Sequence, residues 1–301
     1  MKIKQLSGLF LLAKGLPVRK MVIVNGIDDH SIEAAEQARQ SGIAEIIITA
    51  EPDLIRQACL RLNIAIENFH IVPVKNEEEA AQKAVSMVNS GAADFIMKGL
   101  INTDKFIRAI LNKEFGLLPP NGLLSHVAII ENPAYHKLLI VSDVAIIPYP
   151  GLKEKITMIN YLIQVAGTLG ISRPKVALIT PTEQVLKSIP ACVDAAELKL
   201  LAVKGEIKGA VIDGPMAIDV ALDKESAAIK NIHSKVAGDA DCLLFPNIDA
   251  GNVFYKMNTI LCHSAQAAVV VGAKAPIVLS SRGDSAQTKL NSIVMAALMS
   301  K

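Results

Sequence analysis

The chain has 301 residues, 51% of them apolar and only 4% aromatic, with no tryptophan; 31 basic against 29 acidic residues leave a formal charge of +2. That length buries a large core and suits two domains better than one. Scarce aromatic platforms and an even charge balance argue against a nucleic-acid partner, and leave any anion to be held by a local pocket.

In chain order, "MKIKQLSGLFLLAKGLP" reads as an amphipathic first helix rather than a signal peptide. Its apolar core is short, no small-residue cleavage site follows, and Lys14 closes it. Aliphatic runs then alternate with helical patterns: "MVIVNG", "EIIITA", "HIVPV" and "DFIMKG" as strands, with helices between them and after the last in "NTDKFIRAILN". This rhythm predicts a parallel, doubly wound sheet covered by helices on both faces. It breaks near Leu123, where "LLSHVAIIEN" and "KLLIVSD" are separated only by "PAYH". Four residues are too few for a helical crossover, so the pair reads as an antiparallel hairpin and marks a domain boundary near Leu123–Ser125. A long helix, "LKEKITMINYLIQVAGTLG", precedes five more strands: "KVALIT", "GAVIDG", "DCLLFPN", "QAAVVVGA" and "PIVLS".

The four cysteines (Cys59, Cys192, Cys242, Cys262) form no CxxC pair, and the six histidines form no metal-type spacing. Buried thiols in a reducing cytoplasm are the expectation. No apolar run reaches the roughly 18 residues of a membrane span, so neither a membrane partner nor a metal is expected.

In open α/β sheets ligands collect at the carboxyl ends of strands, which directs attention to the polar residues there. "SSRGDS" offers the Ser281 hydroxyl, the Arg282 guanidinium and the Gly283 backbone just before a helix, whose free N–H groups favour an anion. Arginine adds a planar fork matched to phosphate or carboxylate oxygens. Asp284 with Gln287 three residues on has the form of a capping box. "FPNIDAGNVFYK" places Gly251 and Asn252 at another helix start, with Lys256 one turn later. "VIDGPMAID" ends a strand at Asp213 and Gly214, and "MKGLINT" puts Lys98 after a strand with Asn102 or Thr103 as the cap. P-loop, dinucleotide-fingerprint and nucleophile-elbow motifs are absent. The residues alone thus describe a two-domain α/β protein fit for a phosphorylated or anionic ligand, and name no reaction.

Together "MKGLINTDKFIRAILNKEFGL", "LLSHVAIIENP", "KGAVIDGPMAID", "AGDADCLLFPNIDAGNVFYK" and "VVVGAKAPIVLSSRGDSAQTKLNSI", in this order, resemble the phosphate acetyl/butyryltransferase family. "DGPMAID" and "SRGDSAQTKLNSI" are similar to its butyryl branch. The resemblance implies reversible transfer of a short acyl group, butyryl, branched or acetyl, from acyl-CoA to phosphate, with no metal or redox cofactor. It also implies a cytoplasmic homo-oligomer with a two-domain fold of the isocitrate/isopropylmalate dehydrogenase type and an active site in the interdomain cleft. On that basis residues 1–124 with 283–301 form the first domain and 125–282 the second. Arg282 would clamp phosphate, and Ser281 would donate to the thiolate or carbonyl oxygen. Gly251 and Asn252 would line the cleft, opposite Lys98, Thr103 and Ser125. Asp213, Gly214, Lys256 and Gly283 complete the substrate-binding set. The acetyl branch carries an aspartate seven residues after the serine as base toward CoA; here Thr288 stands there, and Asp284 is the candidate substitute.

Two rival readings stand beside this one. A metal-dependent hydroxyacid dehydrogenase of the same fold needs aspartates clustered at a strand end, whereas Asp219 and Asp223 fall within a predicted helix. A non-catalytic CoA- or acyl-phosphate-binding protein is kept open by Thr288.

Overall fold

Strand β1 (Arg19–Val24) follows the short helix α1 (Gly8–Ala13), and its residues Met21 to Val24 are fully buried. The computed structural model describes residues 3–281 and 283–300. They gather into two bodies: Leu9–Leu124 with 267–300, and 3–8 with Ser125–Gln266.

In the first body, β1 is followed by α2 (Asp29–Gln40), β2 (Ala44–Ala50), α3 (Pro52–Leu62), β3 (His70–Pro73), α4 (Glu77–Asn89), β4 (Phe95–Lys98) and α5 (Thr103–Ile110). β1 pairs in parallel with β2 on one side and β4 on the other, and β2 with β3. The strands lack polar alternation because helices cover both faces, as the buried runs Ile46–Ile48 and Phe95–Met97 record. Helix starts are fixed locally: Asp28 accepts from the Ser31 N–H, Asn76 from that of Glu79, and Pro52 opens α3. The strand order reverses between β1 and β4. There Asn25 takes a left-handed φ of 53°, and a Cβ on Gly99 would lie 2.6 Å from the Asn25 carbonyl oxygen. Only glycine lets these two strand ends close so tightly.

The second body starts with the hairpin β5 (Ser125–Glu131) and β6 (Leu139–Ser142), paired antiparallel. It continues through α6 (Leu152–Thr168), β7 (Lys175–Ile179), α7 (Pro190–Val203), β8 (Val211–Met216), α8 (Ile218–Leu222), α9 (Lys224–Ile229), β9 (Cys242–Leu244) and α10 (Ile248–Ile260). β6, β9, β7 and β8 are parallel neighbours in that order. The N-terminal segment belongs here too: the Ile3 N–H donates to the Leu169 carbonyl and the Leu6 N–H to the Glu131 carboxylate.

The chain then returns to the first body through β10 (Ala265–Val271), β11 (Ile277–Val278) and α11 (Ala286–Met299). β11 lies parallel to β4, Ile277 beside Ile96 and Val278 beside Met97, and β10 pairs antiparallel with β11. This corrects the expected return at residue 283. Strand pairing carries the return back to residue 267, so Ser281 lies in the same body as Lys98. Residues 3–8 likewise sit in the second body, not the first. Cys59, Cys192 and Cys242 are buried, and all four cysteines are free thiols.

Candidate functional site

Two clusters of predicted residues form, one in each body, and a third group stands apart.

The first follows β11. Its parallel register with β4, which ends by setting Val278 beside Met97, leads the chain out at the same carboxyl edge of the sheet where β4 ends in Lys98. The Lys98 side chain is 3% exposed, and its ammonium donates to the Gly99 carbonyl at 3.4 Å. Ser281 is exposed, and its backbone is held from both directions. Its N–H donates to the Asp284 carboxylate at 2.8 Å, while the Asp284 N–H donates to the Ser281 carbonyl at 3.2 Å. The Gly283 N–H reaches the Ser281 hydroxyl oxygen at 3.4 Å. Arg282 lies outside the described residues.

The helix cap differs from the expected one. Ser285, in extended conformation, accepts from the Thr288 N–H at 3.2 Å, and its hydroxyl meets the Thr288 hydroxyl at 3.2 Å. Asp284 is therefore not the cap. Its carboxylate turns back to Ser281, three residues upstream, and the neighbouring serine takes over the helix end. Thr288, where an aspartate was sought, is engaged in this cap. Replacing Ser285 by alanine is expected to lower stability by about 1 kcal/mol, read as a shift in the denaturant midpoint.

Beneath the turn, Lys289 is 3% exposed. Its amine donates to the Ser280 hydroxyl at 3.0 Å and points to the Ser281 carbonyl at 3.5 Å. Burial holds its pKa below the ordinary lysine value, against the opposing pull of the Asp28 and Asp284 carboxylates. Sequence reasoning missed this residue, although a signal was present. Lys289 interrupts an apolar helical stripe of Ala286, Leu290, Ile293, Val294 and Ala297. Thr103 is exposed at the first position of α5, whose cap is Asn102, accepting from the Asp104 N–H.

The second cluster closes the ends of β6 and β9. Asp143, 1% exposed, accepts four hydrogen bonds. One carboxylate oxygen takes the Ser125 hydroxyl at 3.0 Å and the His126 N–H at 2.8 Å; the other takes the N–H groups of Ala145 and Ile146, both at 2.7 Å. Ser125 also meets the Ser142 hydroxyl at 2.8 Å and is fully buried. It therefore shares a body with Gly251 and Asn252 rather than standing on a wall opposite them. α10 begins earlier than expected, capped by Asn247, which accepts from the Ala250 N–H. Gly251 and Asn252 thus sit inside the first turns and join α10 to the loop after β6. A Cβ at Gly251 would lie 2.1 Å from the Asp143 carbonyl oxygen, and the Asn252 amide donates to the Val144 carbonyl at 2.8 Å. Lys256 is exposed on the same helix. Asp143 was not singled out in the sequence, because nothing local announces its partners.

Asp213 and Gly214 stand apart from this cluster. They lie within β8, which runs on to Met216, rather than at a strand end. β7 separates β8 from β9. Asp213 is paired with Lys199 at 2.6 Å, and a Cβ on Gly214 would lie 2.6 Å from the Leu178 side chain, so this glycine serves the approach of β8 to β7. A polar cavity of about 370 Å³ opens here, bordered by Glu183, Lys199, Asp213, Asn231 and His233. Among the described residues, no three His, Cys, Asp or Glu side chains gather as a metal-binding group.

The first cluster offers an exposed hydroxyl on a pinned turn next to a buried lysine, which suits hydrogen bonding to an anion or a developing oxyanion. Comparison with known proteins narrows this. The family described as phosphate acetyl/butaryl transferase matches residues 74–297. A phosphate butyryltransferase of Clostridium acetobutylicum is 42% identical over 297 residues, covering 99% of this chain and 98% of that protein. A phosphate acetyltransferase of Rhizobium meliloti is 35% identical over 277 residues, 92% and 87% of the two chains. Among solved structures, a branched-chain phosphotransacylase from Enterococcus faecalis V583 superposes with a TM-score of 0.82 at 31% identity, covering 93% of this chain and 98% of that one.

Proposed function

The chain belongs to the phosphate acetyl/butaryl transferase family, and from that premise we propose that the turn at Ser281 is where phosphate and a thioester react. The protein is an enzyme, and its activity is reversible acyl transfer between acyl-CoA and inorganic phosphate. A phosphate oxygen attacks the thioester carbonyl carbon, the carbonyl becomes an oxyanion, and the carbon–sulfur bond then breaks to leave acyl phosphate and the CoA thiolate. The observation that carries the assignment is Ser281 itself, exposed at the carboxyl edge of β11 while Asp284 fixes its backbone.

In this reading the Ser281 hydroxyl donates to the carbonyl oxygen or the departing sulfur, and the Arg282 guanidinium holds phosphate oxygens in its fork. A thiol with a pKa near 8.5 leaves readily, so modest stabilisation of sulfur is enough. Asp284 supplies a carboxylate at this turn. One of its oxygens accepts the Ser281 N–H, and the other serves as base toward the CoA thiol in the reverse direction. The reaction as written asks for neither a metal nor a redox cofactor. Butyryl or a branched short acyl group is the preferred cargo, supported by the 42% identity to a butyryltransferase.

The isocitrate dehydrogenase-type fold belongs to the same reading, and the parallel core of each body supports it. So does a homo-oligomer in the cytoplasm. α10 turns Val253 and Ile260 outward, and Leu261 follows as its C-cap, each at least 66% exposed, an apolar stripe suited to a second copy. No helix among the described residues is long and apolar enough to cross a membrane.

The test is thiol release from butyryl-CoA and acetyl-CoA, with and without phosphate, in the presence of a chelator. Release that needs phosphate and ignores chelator is the expected result. Tight CoA binding without release would instead make the chain a binding protein.

A further inference from the structure

A buried lysine side chain in α11, a helix whose Leu290, Ile293 and Val294 are buried too, is an expensive way to fill space. A straight apolar chain would occupy the same volume without desolvating an ammonium group. What Lys289 does hold is specific. Its hydrogen bonds go to the Ser280 hydroxyl and the Ser281 carbonyl, two residues that follow β11 and lead into the turn. The carboxylates that act on it electrostatically are Asp28, the cap of α2, and Asp284, whose oxygen receives the Ser281 N–H. Ser281 is thus held at its N–H by the Asp284 carboxylate and at its carbonyl by both the Asp284 N–H and the Lys289 amine, with its side chain turned outward.

We propose that Lys289 is a positioning residue for acyl transfer, fixing Ser280 and the Ser281 carbonyl from below so that the Ser281 hydroxyl meets the reacting thioester in a single orientation. The proposal rests on the reading of Ser281 as a residue of the reacting site. It separates two ways of building a turn. Asp284 sets the turn within the loop, whereas Lys289 ties the loop to the helix and so to the core beneath. Catalytic hydrogen bonds depend steeply on such placement, because a shift near 1 Å far from the chemistry is felt in the rate. Substrate binding spread over other contacts is not altered by it.

The experiment compares Lys289→Met, Ser280→Ala and the double variant by steady-state kinetics and thermal unfolding. Lys289→Met is expected to lose about 100-fold in kcat while KM for acyl-CoA and phosphate stays within about threefold. Its melting temperature should hold or rise, since a buried amine is replaced by an apolar chain of similar length. Ser280→Ala is expected to lose about tenfold in kcat, and the double variant no more than Lys289→Met alone, because both changes cut one link. A kcat in Lys289→Met near the parent value would overturn the proposal, as would strictly additive losses in the double variant. Should Lys289→Met fail to fold, Ser280→Ala decides alone, and parent kcat in that variant overturns it. Ser281→Ala isolates the underlying reading. Loss of turnover there with normal turnover in Lys289→Met refutes the positioning role only, whereas normal turnover in Ser281→Ala refutes the site.

Discussion

Replacing Asp143 by alanine is expected to lower the stability of the second body by about 4 kcal/mol, because two buried donors and two partly exposed ones lose their acceptor together. The Ser125 hydroxyl and the N–H groups of His126, Ala145 and Ile146 all end on this one carboxylate, whose residue is 1% exposed. The loss is larger than for an ordinary polar contact, since leaving a buried donor unpaired costs more than a hydrogen bond contributes. Asparagine at the same position keeps one acceptor oxygen but turns an N–H₂ toward two of the donors, so it should fall between alanine and the parent. In a thermal melt the alanine variant should lose on the order of 10 °C. A melting point within about 2 °C of the parent would show that the four donors find other partners. Gly251 adds to the same joint, since its missing Cβ is what lets α10 lie against the Asp143 carbonyl.

Arg282→Lys is the second large effect, on rate rather than stability. A guanidinium presents parallel N–H groups to two phosphate oxygens, while an ammonium is a point charge on a flexible stem. With the charge retained and the fork lost, kcat/KM for phosphate should drop by about 100-fold or more. The unfolding midpoint should stay unchanged. Saturation curves in phosphate at fixed butyryl-CoA measure this directly. Turnover close to the parent enzyme would remove Arg282 from the role of clamp.

The strand–helix rhythm was readable because buried parallel strands are written as uninterrupted aliphatic runs, and the hairpin because "PAYH" is too short for a crossover. What escaped reading depends on partners distant in sequence. "DGP" looks like the end of a strand, yet β8 passes through it. At the edge of the second body's sheet, a proline removes no needed ladder bond. Gly251 looked like a helix start, but it lies where a helix must approach a carbonyl, and Asn247 makes the cap. Asp284 and Ser285 are both good caps by composition, and only the turn's geometry awards one to Ser281 and the other to α11. The runs "QAAVVVGA" and "PIVLS" announce strands without announcing which sheet they join. Ser281 was expected in the site by resemblance alone, whereas Asp143 and Lys289 became legible only through their hydrogen bonds.

The pairing of β11 with β4 has a consequence during synthesis on the ribosome. The first body begins with the earliest strands to emerge, but β4 keeps an open edge until residues near Ile277 have been translated, about 180 residues after Phe95. All the residues the second body draws on, by contrast, have been translated once Gln266 has been added. The body whose strands emerge first is completed last, and the nascent chain must shield an unpaired aliphatic strand throughout that interval. The same late segment carries Ser281, so the turn proposed to react arrives together with the strand that seals the sheet.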